Sequence, residues 1–243
     1  MVKCDLCDLV FVNPQPSAAL LNEIYSEEYF KSKNAKKLGY SDYLGEEASY
    51  RLEAGQRNLE LIEMHYGKKK GGLLLDIGCA GGFFLKVARD KGWFVKGVEV
   101  SDYAAQFARE QLGLNVTTGF LKGANYQDGE FDVITMFDVI EHVPDPVEEM
   151  REINRVMKTD GLLVMDTPNI ESDAARKQKE NFWLIKEDHI IYFSPGTIKR
   201  LLEDSGFIVA EISKRLVSKW DPAIKLFPNT TEGSHLTVVA RKS

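Results

Sequence analysis

The apolar run Leu73-Leu74-Leu75-Asp76-Ile77 passes directly into Gly78-Cys79-Ala80-Gly81-Gly82 and then into a helical pattern over residues 83–91. No other stretch constrains the chain as strongly. A continuous apolar run bounded by glycines suits a strand covered on both faces. Small residues let backbone approach a ligand, and the first turn of the following helix leaves N–H groups free to meet it. The alternation continues with a strand over 94–100 and a helix over 103–112. Further strands are expected at 115–118, 131–137, 162–166, 207–213 and 235–241, and further helices at 147–157 and 198–204. The last helix carries its own punctuation, with Ser194 as cap, Pro195 in the first turn and Gly206 as the stop. Apolar strands alternating with helices imply a parallel sheet with helices on both faces and right-handed crossovers. Between Ser213 and His235 there is no helical pattern, only a loop with Pro222, Pro228 and Gly233. The final strand is therefore expected to run antiparallel to its predecessor.

The N-terminal residues differ in texture. Cys4-Asp5-Leu6-Cys7 offers two of the four ligands a tetrahedral zinc site needs. A strand is expected over 9–12, then a turn at Pro14 and Pro16. Ser17 is placed to cap a short helix through Leu20, Leu21, Ile24 and Tyr25, and 31–37 reads as a solvated connection. Ala48, Leu52, Leu59, Ile62 and Tyr66 form the stripe of one long amphipathic helix over 41–66, ended by Gly67. The expected organisation is an N-terminal extension over 1–67, carrying a half zinc-ribbon remnant and a helical cap, and a ligand-binding domain over 68–243.

With 243 residues the chain is long enough to bury a full core. Its net charge of −6 does not suit a protein that gains affinity by neutralising phosphates, so nucleic acid is not an expected partner. No apolar run approaches the roughly 18 to 20 residues that cross a bilayer, so no membrane span is expected. Three cysteines without a pairable framework suit a reducing compartment, and the expected location is the cytoplasm.

The glycine turn departs from a dinucleotide fingerprint, because Ala80 replaces its second glycine and Phe83 stands where the third belongs. Asp76 would sit badly beside a pyrophosphate but suits a ligand with an ammonium group. Glu99, closing the second strand of the alternating region, has the place of an acid that accepts two ribose hydroxyls. Residues 74–85, Gly97-Val98-Glu99-Val100-Ser101, 131–146, 161–169 and 189–194 together resemble the class I S-adenosylmethionine-dependent methyltransferases, in particular those similar to ubiquinone-biosynthesis O-methyltransferases and sugar methyltransferases. That resemblance implies a Rossmann-like α/β fold with a seven-stranded, mostly parallel sheet whose last strand is antiparallel, preceded by an N-terminal helical extension.

It also implies S-adenosylmethionine as cofactor and a small-molecule or sugar acceptor methylated on a hydroxyl oxygen. Gly78, Cys79, Ala80, Gly81 and Gly82 would line its methionine moiety, with Asp76 near the amino group. Glu99 would hold the ribose, with Val100 and Ser101 following it. Phe120 and Leu121 would flank adenine. The acid usual in that turn is missing, and Asp128 is the nearest in sequence. Phe137 and Asp138 would stand against the sulfonium, and Tyr40 or Tyr43 would close over the cofactor. His142 is the candidate base, with a supporting role as the alternative. Asp138, Glu141 and His142 have the spacing of three ligands on one face, and related quinone O-methyltransferases suggest a divalent metal there; no metal is assigned. His189 and Tyr192 would border the acceptor pocket or pack before the last helix. Two rival readings stay open: an NAD-dependent oxidoreductase and a non-catalytic domain that binds a nucleoside ligand.

Overall fold

The computed structural model describes residues 1–16, 24–32, 39–67, 71–216 and 232–243, with the side chains of 215, 216 and 232 left out. The expected cap Ser17 with its helix through Leu20 and Leu21, most of the connection at 31–37, and the loop with Pro222 and Pro228 lie outside the described residues.

The strands are β1 (Val2–Lys3), β2 (Val10–Phe11), β3 (Leu73–Ile77), β4 (Phe94–Glu99), β5 (Val116–Thr118), β6 (Phe131–Phe137), β7 (Met157–Pro168), β8 (Ile191–Tyr192), β9 (Phe207–Leu216) and β10 (Glu232–Lys242). The helices are α1 (Glu27–Phe30), α2 (Ala48–Tyr66), α3 (Phe83–Asp90), α4 (Asp102–Leu112), α5 (Pro146–Val156), α6 (Asp173–Gln178) and α7 (Pro195–Asp204). Seven strands form one sheet in the order β5-β4-β3-β6-β7-β10-β9. Pairing is parallel from β5 to β7, and β10 is antiparallel to both β7 and β9. The expected reversal of the last strand is therefore present, and β10 is inserted beside β7 rather than added at the edge.

β3 lies in the interior of the sheet and is covered on both sides, which is why its sequence is apolar at successive positions rather than alternating. Leu75 belongs to the core that includes Met150, Ile153, Ile198 and Leu202, and Leu74 to the opposite core with Leu59, Ile62 and Leu85. α2 packs on α3, and Gly55 permits this: a Cβ there would stand 3.2 Å from the Phe84 backbone. Burial of Gly55, Leu59 and Ile62 gives the expected stripe. The helix begins at Ala48 rather than Ser41, because Asp42 accepts from the Gly45 and Glu46 N–H groups and holds that stretch in turns. β7 starts five residues before the expected strand. Its exposed polar opening, Lys158 to Asp160, carries no apolar pattern.

Residues 170–192 hold a helix the sequence pattern did not announce, α6, capped by Ser172 and packed with Phe182 and Leu184. β2 pairs antiparallel with β1 and with β8, Val10 opposite Tyr192, so the N-terminus is stitched to this insertion. Tyr29 adds a second stitch by donating its hydroxyl to Asp188 Oδ2 at 2.7 Å. Cys4 and Cys7 are free thiols, and among the described residues no group of three metal-ligating side chains includes them.

Candidate active site

The turn after β3 is held by the end of β4. Ala80 N–H donates to Glu99 Oε2 and Ser101 N–H to Glu99 Oε1, both at 2.8 Å. Glu99 is buried, which pushes its carboxyl above the usual range against the opposing pull of those N–H donors. Gly78 has φ +68°, and a Cβ there would lie 2.4 Å from Val139 Cγ2. Asp76 is 4% exposed and accepts from Thr135 Oγ1 at 2.6 Å. Burial pushes its carboxyl up to about 7; the Thr135 bond opposes this and the nearby Glu99 adds to it.

These groups meet at a cavity of about 280 Å³, close to the low end of small-molecule sites at about 300 to 1,000 Å³. It opens at the carboxyl ends of β3, β4 and β6, where ligands bind in open α/β sheets. Tyr43, Asp76, Gly78, Cys79, Ala80, Glu99, Val100, Phe120, Leu121, Phe137, Asp138 and His142 all stand on its wall, as does Tyr40. Gly81, Gly82 and Ser101 do not. A Cβ on Gly81 would meet Leu44 at 2.3 Å, and one on Gly82 would meet Leu114 at 2.5 Å, so these glycines serve packing behind the turn. Ser101 caps α4 through Ala104 N–H. Asp128 is also away from the wall, exposed and paired with Arg155. Cys79 is fully buried, and burial holds its thiol protonated.

Three wall residues have no local signature in the sequence. Arg51 comes from α2, its guanidinium 4.3 Å from the Tyr43 ring centroid and 4.7 Å from that of Tyr40, and it pairs with Glu47 at 2.6 Å. Its Nε is buried without a hydrogen-bond partner among the described residues. The one clue is a charge four residues before Gly55 on the buried stripe. His235 arrives from β10 with Nε2 3.7 Å from Asp138 Oδ1. Glu149 arrives from α5.

His142 Nδ1 lies 2.7 Å from the Asp188 carbonyl. A carbonyl only accepts, so Nδ1 carries the proton, and in the neutral imidazole the lone pair is on Nε2. His189 packs edge-on against His142 at 4.7 Å between centroids, yet it is buried behind the wall, and burial keeps it neutral. Tyr192 is buried there too, so neither borders the cavity. Asp138, Glu141 and His142 are not brought together as ligands. Asp138 turns through φ +53° and residues 140–142 form a single 3₁₀ turn, so helical spacing does not place them on one face. A different trio forms instead: Glu141, His142 and His189 each offer one ligand atom within 4.8 Å of the others. Glu141 Oε1 and His189 Nδ1 are buried without hydrogen-bond partners.

A model of the methyltransferase domain matches residues 48–212 of the chain. The chain belongs to this family. It is a class I S-adenosylmethionine-dependent methyltransferase by family, and S-adenosylmethionine is the cofactor of that family. The reading as an NAD-dependent oxidoreductase falls away with the broken fingerprint. The ubiquinone biosynthesis O-methyltransferase of Thiobacillus denitrificans is 33% identical over 160 residues, covering 60% of this chain and 67% of the relative. Against other curated ubiquinone biosynthesis O-methyltransferases, including one from Neisseria meningitidis, the chain spans about half of their length. Among solved structures, a Pyrococcus horikoshii protein shares the fold with TM-score 0.64 at 18% identity, covering 89% of this chain and 99% of that one. A Mesorhizobium loti S-adenosylmethionine-dependent methyltransferase has TM-score 0.57 at 20% identity, covering 71% and 92%. Among the described residues of this methyltransferase-family chain, no helix is long and apolar enough to cross a membrane.

Proposed function

We propose that the protein transfers a methyl group from S-adenosylmethionine to a hydroxyl oxygen of a small-molecule or sugar acceptor. The observation that carries the reading is the charge pattern of one cavity: a cationic Arg51 with an unpartnered Nε, a buried Asp76, and a Glu99 at the end of β4. This donor set fits an amino acid joined to a nucleoside. Arg51 would take the carboxylate, Asp76 the ammonium group, and Glu99 the ribose diol, with Gly78, Cys79 and Ala80 along the methionine chain. Val100, Phe120 and Leu121 would flank the base. Phe137 and Asp138 would stand against the sulfur, and Tyr40 and Tyr43 would close over it. The oxygen acceptor is favoured by the curated O-methyltransferase relatives and by the His142 imidazole on the wall.

When bound, S-adenosylmethionine supplies an electrophilic methyl on a sulfonium. The residues align and desolvate, and holding reactants in line removes several kcal/mol of barrier, on the order of 7 to 11 in favourable cases. His142 accepts the hydroxyl proton at Nε2. The Asp188 carbonyl fixes its tautomer, and Tyr29 steadies Asp188. Glu141, His142 and His189 also carry a donor set that a divalent cation would take, but such a cation would occupy the same His142 Nε2, so it is an alternative to the base role and not an addition to it. Calorimetry with S-adenosylhomocysteine and NAD tests the cofactor assignment: binding of the former alone supports it, and a preference for NAD overturns it. Radiolabelled methyl transfer into a cell extract then separates an enzyme from a silent binding domain.

A further inference from the structure

The base-recognition end of the cavity has no acid in the turn after β5, where Gly119-Phe120-Leu121 stands, and Asp128 is occupied by Arg155. An acid reaches that end from another element. α5 carries three glutamates, of which Glu148 pairs with Lys122 at 2.7 Å and Glu152 with Arg155 at 2.6 Å. Glu149 lines the cavity, and its carboxyl has no hydrogen-bond or ion-pair partner among the described residues. The Lys122–Glu148 pair ties the first turn of α5 to the turn after β5, so Glu149 and Leu121 flank the same end. Val143 and Pro144 line the same cavity. β5 borders β4 on the side away from β3 and the turn after it packs on α5, so a base extending past a ribose at Glu99 runs toward that turn and α5.

We propose that Glu149 reads the exocyclic amino group of adenine, its carboxylate accepting an N–H from the 6-amino group and thereby selecting a 6-aminopurine over a 6-oxopurine. The inference rests on the cofactor placement given above. A 6-oxo group would set one acceptor against another, and an acceptor left unpaired in a closed site weakens binding strongly. Burial, with Glu152 and Glu148 nearby, already pushes the Glu149 carboxyl up to about 7, and an amino donor would offset that penalty.

The test is calorimetry on the full chain with S-adenosylhomocysteine and its 6-oxo analogue, S-inosylhomocysteine. Wild type is expected to prefer the adenine compound by about 10- to 100-fold. Glu149→Gln, which both donates and accepts, should bind S-adenosylhomocysteine about tenfold more weakly and bring the two ligands within a few fold. Asp128→Asn, away from the wall, should leave the preference intact. The wild-type comparison needs no substitution, so a poorly folding variant does not spare the proposal. Equal wild-type affinity for the two ligands, or an undiminished preference in Glu149→Gln, would overturn it while leaving the cofactor placement standing. Failure of wild type to bind either ligand would overturn that placement itself.

Discussion

Asp76 shows how a single side chain is set against stability for the sake of a site. Its folded pKa of about 7 lies above the ordinary 3.8, so the folded protein holds an extra proton between those values. The stability this contributes is fully present below about pH 4 and is lost as pH rises through about 7, where the buried carboxyl must ionise. Between about pH 5 and 8 the ligand-free wild type should therefore lose on the order of a few kcal/mol through this group, and Asp76→Asn should lose much less. Denaturant titrations across that range check it; equal slopes for the two proteins would contradict the assignment. The same variant should bind S-adenosylhomocysteine at least tenfold more weakly, since the ammonium partner is gone. Glu99→Ala should weaken that binding by about 1 to 3 kcal/mol by calorimetry and also lower the melting temperature, because Ala80 and Ser101 lose their acceptor. Asp76, Glu99 and Gly78 reach the cavity wall as the sequence indicates, because their setting is local, a strand end joined to a helix start, while Gly81 and Gly82 pack behind the turn. Arg51, Glu149 and His235 are not legible, since each is ordinary in its own segment and reaches the cavity only through packing.

Elements were legible where apolar periodicity and caps agree. Ser194 and Thr197 form a reciprocal capping box at α7, and Pro195 occupies its first turn, as the sequence indicates. Ser194→Ala should cost about 1 kcal/mol in denaturant unfolding. What sequence leaves dark is structure held by side-chain hydrogen bonds over short distances. The Asp42 turn shortens α2 at its start, and the Ser172 cap creates α6 in a stretch with little helical pattern. Gly82 also changes its meaning at this scale. A side chain there meets Leu114 and Ala108 and demands φ +78°, so Gly82→Val should lower the melting temperature markedly, with loss of cofactor binding following from the displaced turn. Gly82→Val with wild-type stability by thermal scan would contradict that packing role.

Across the whole molecule, the order and direction of the seven-stranded sheet follow from the repeated strand-helix pattern and its interruption after Ser213. The attachment of the N-terminal residues does not, because it joins residues far apart in sequence: β2 with β8, and Tyr29 with Asp188. That long-range stitching sets the His142 tautomer and places the N-terminal tyrosines over the charged pocket. Transfer of a carbon-13 methyl group from labelled S-adenosylmethionine into a small-molecule acceptor pool, with the new bond identified by NMR, tests the account most directly. Wild type is expected to place the label on oxygen, and His142→Ala to do so about 10²-fold more slowly with cofactor affinity within a few fold. Label on nitrogen or carbon, or full activity in His142→Ala, would contradict it.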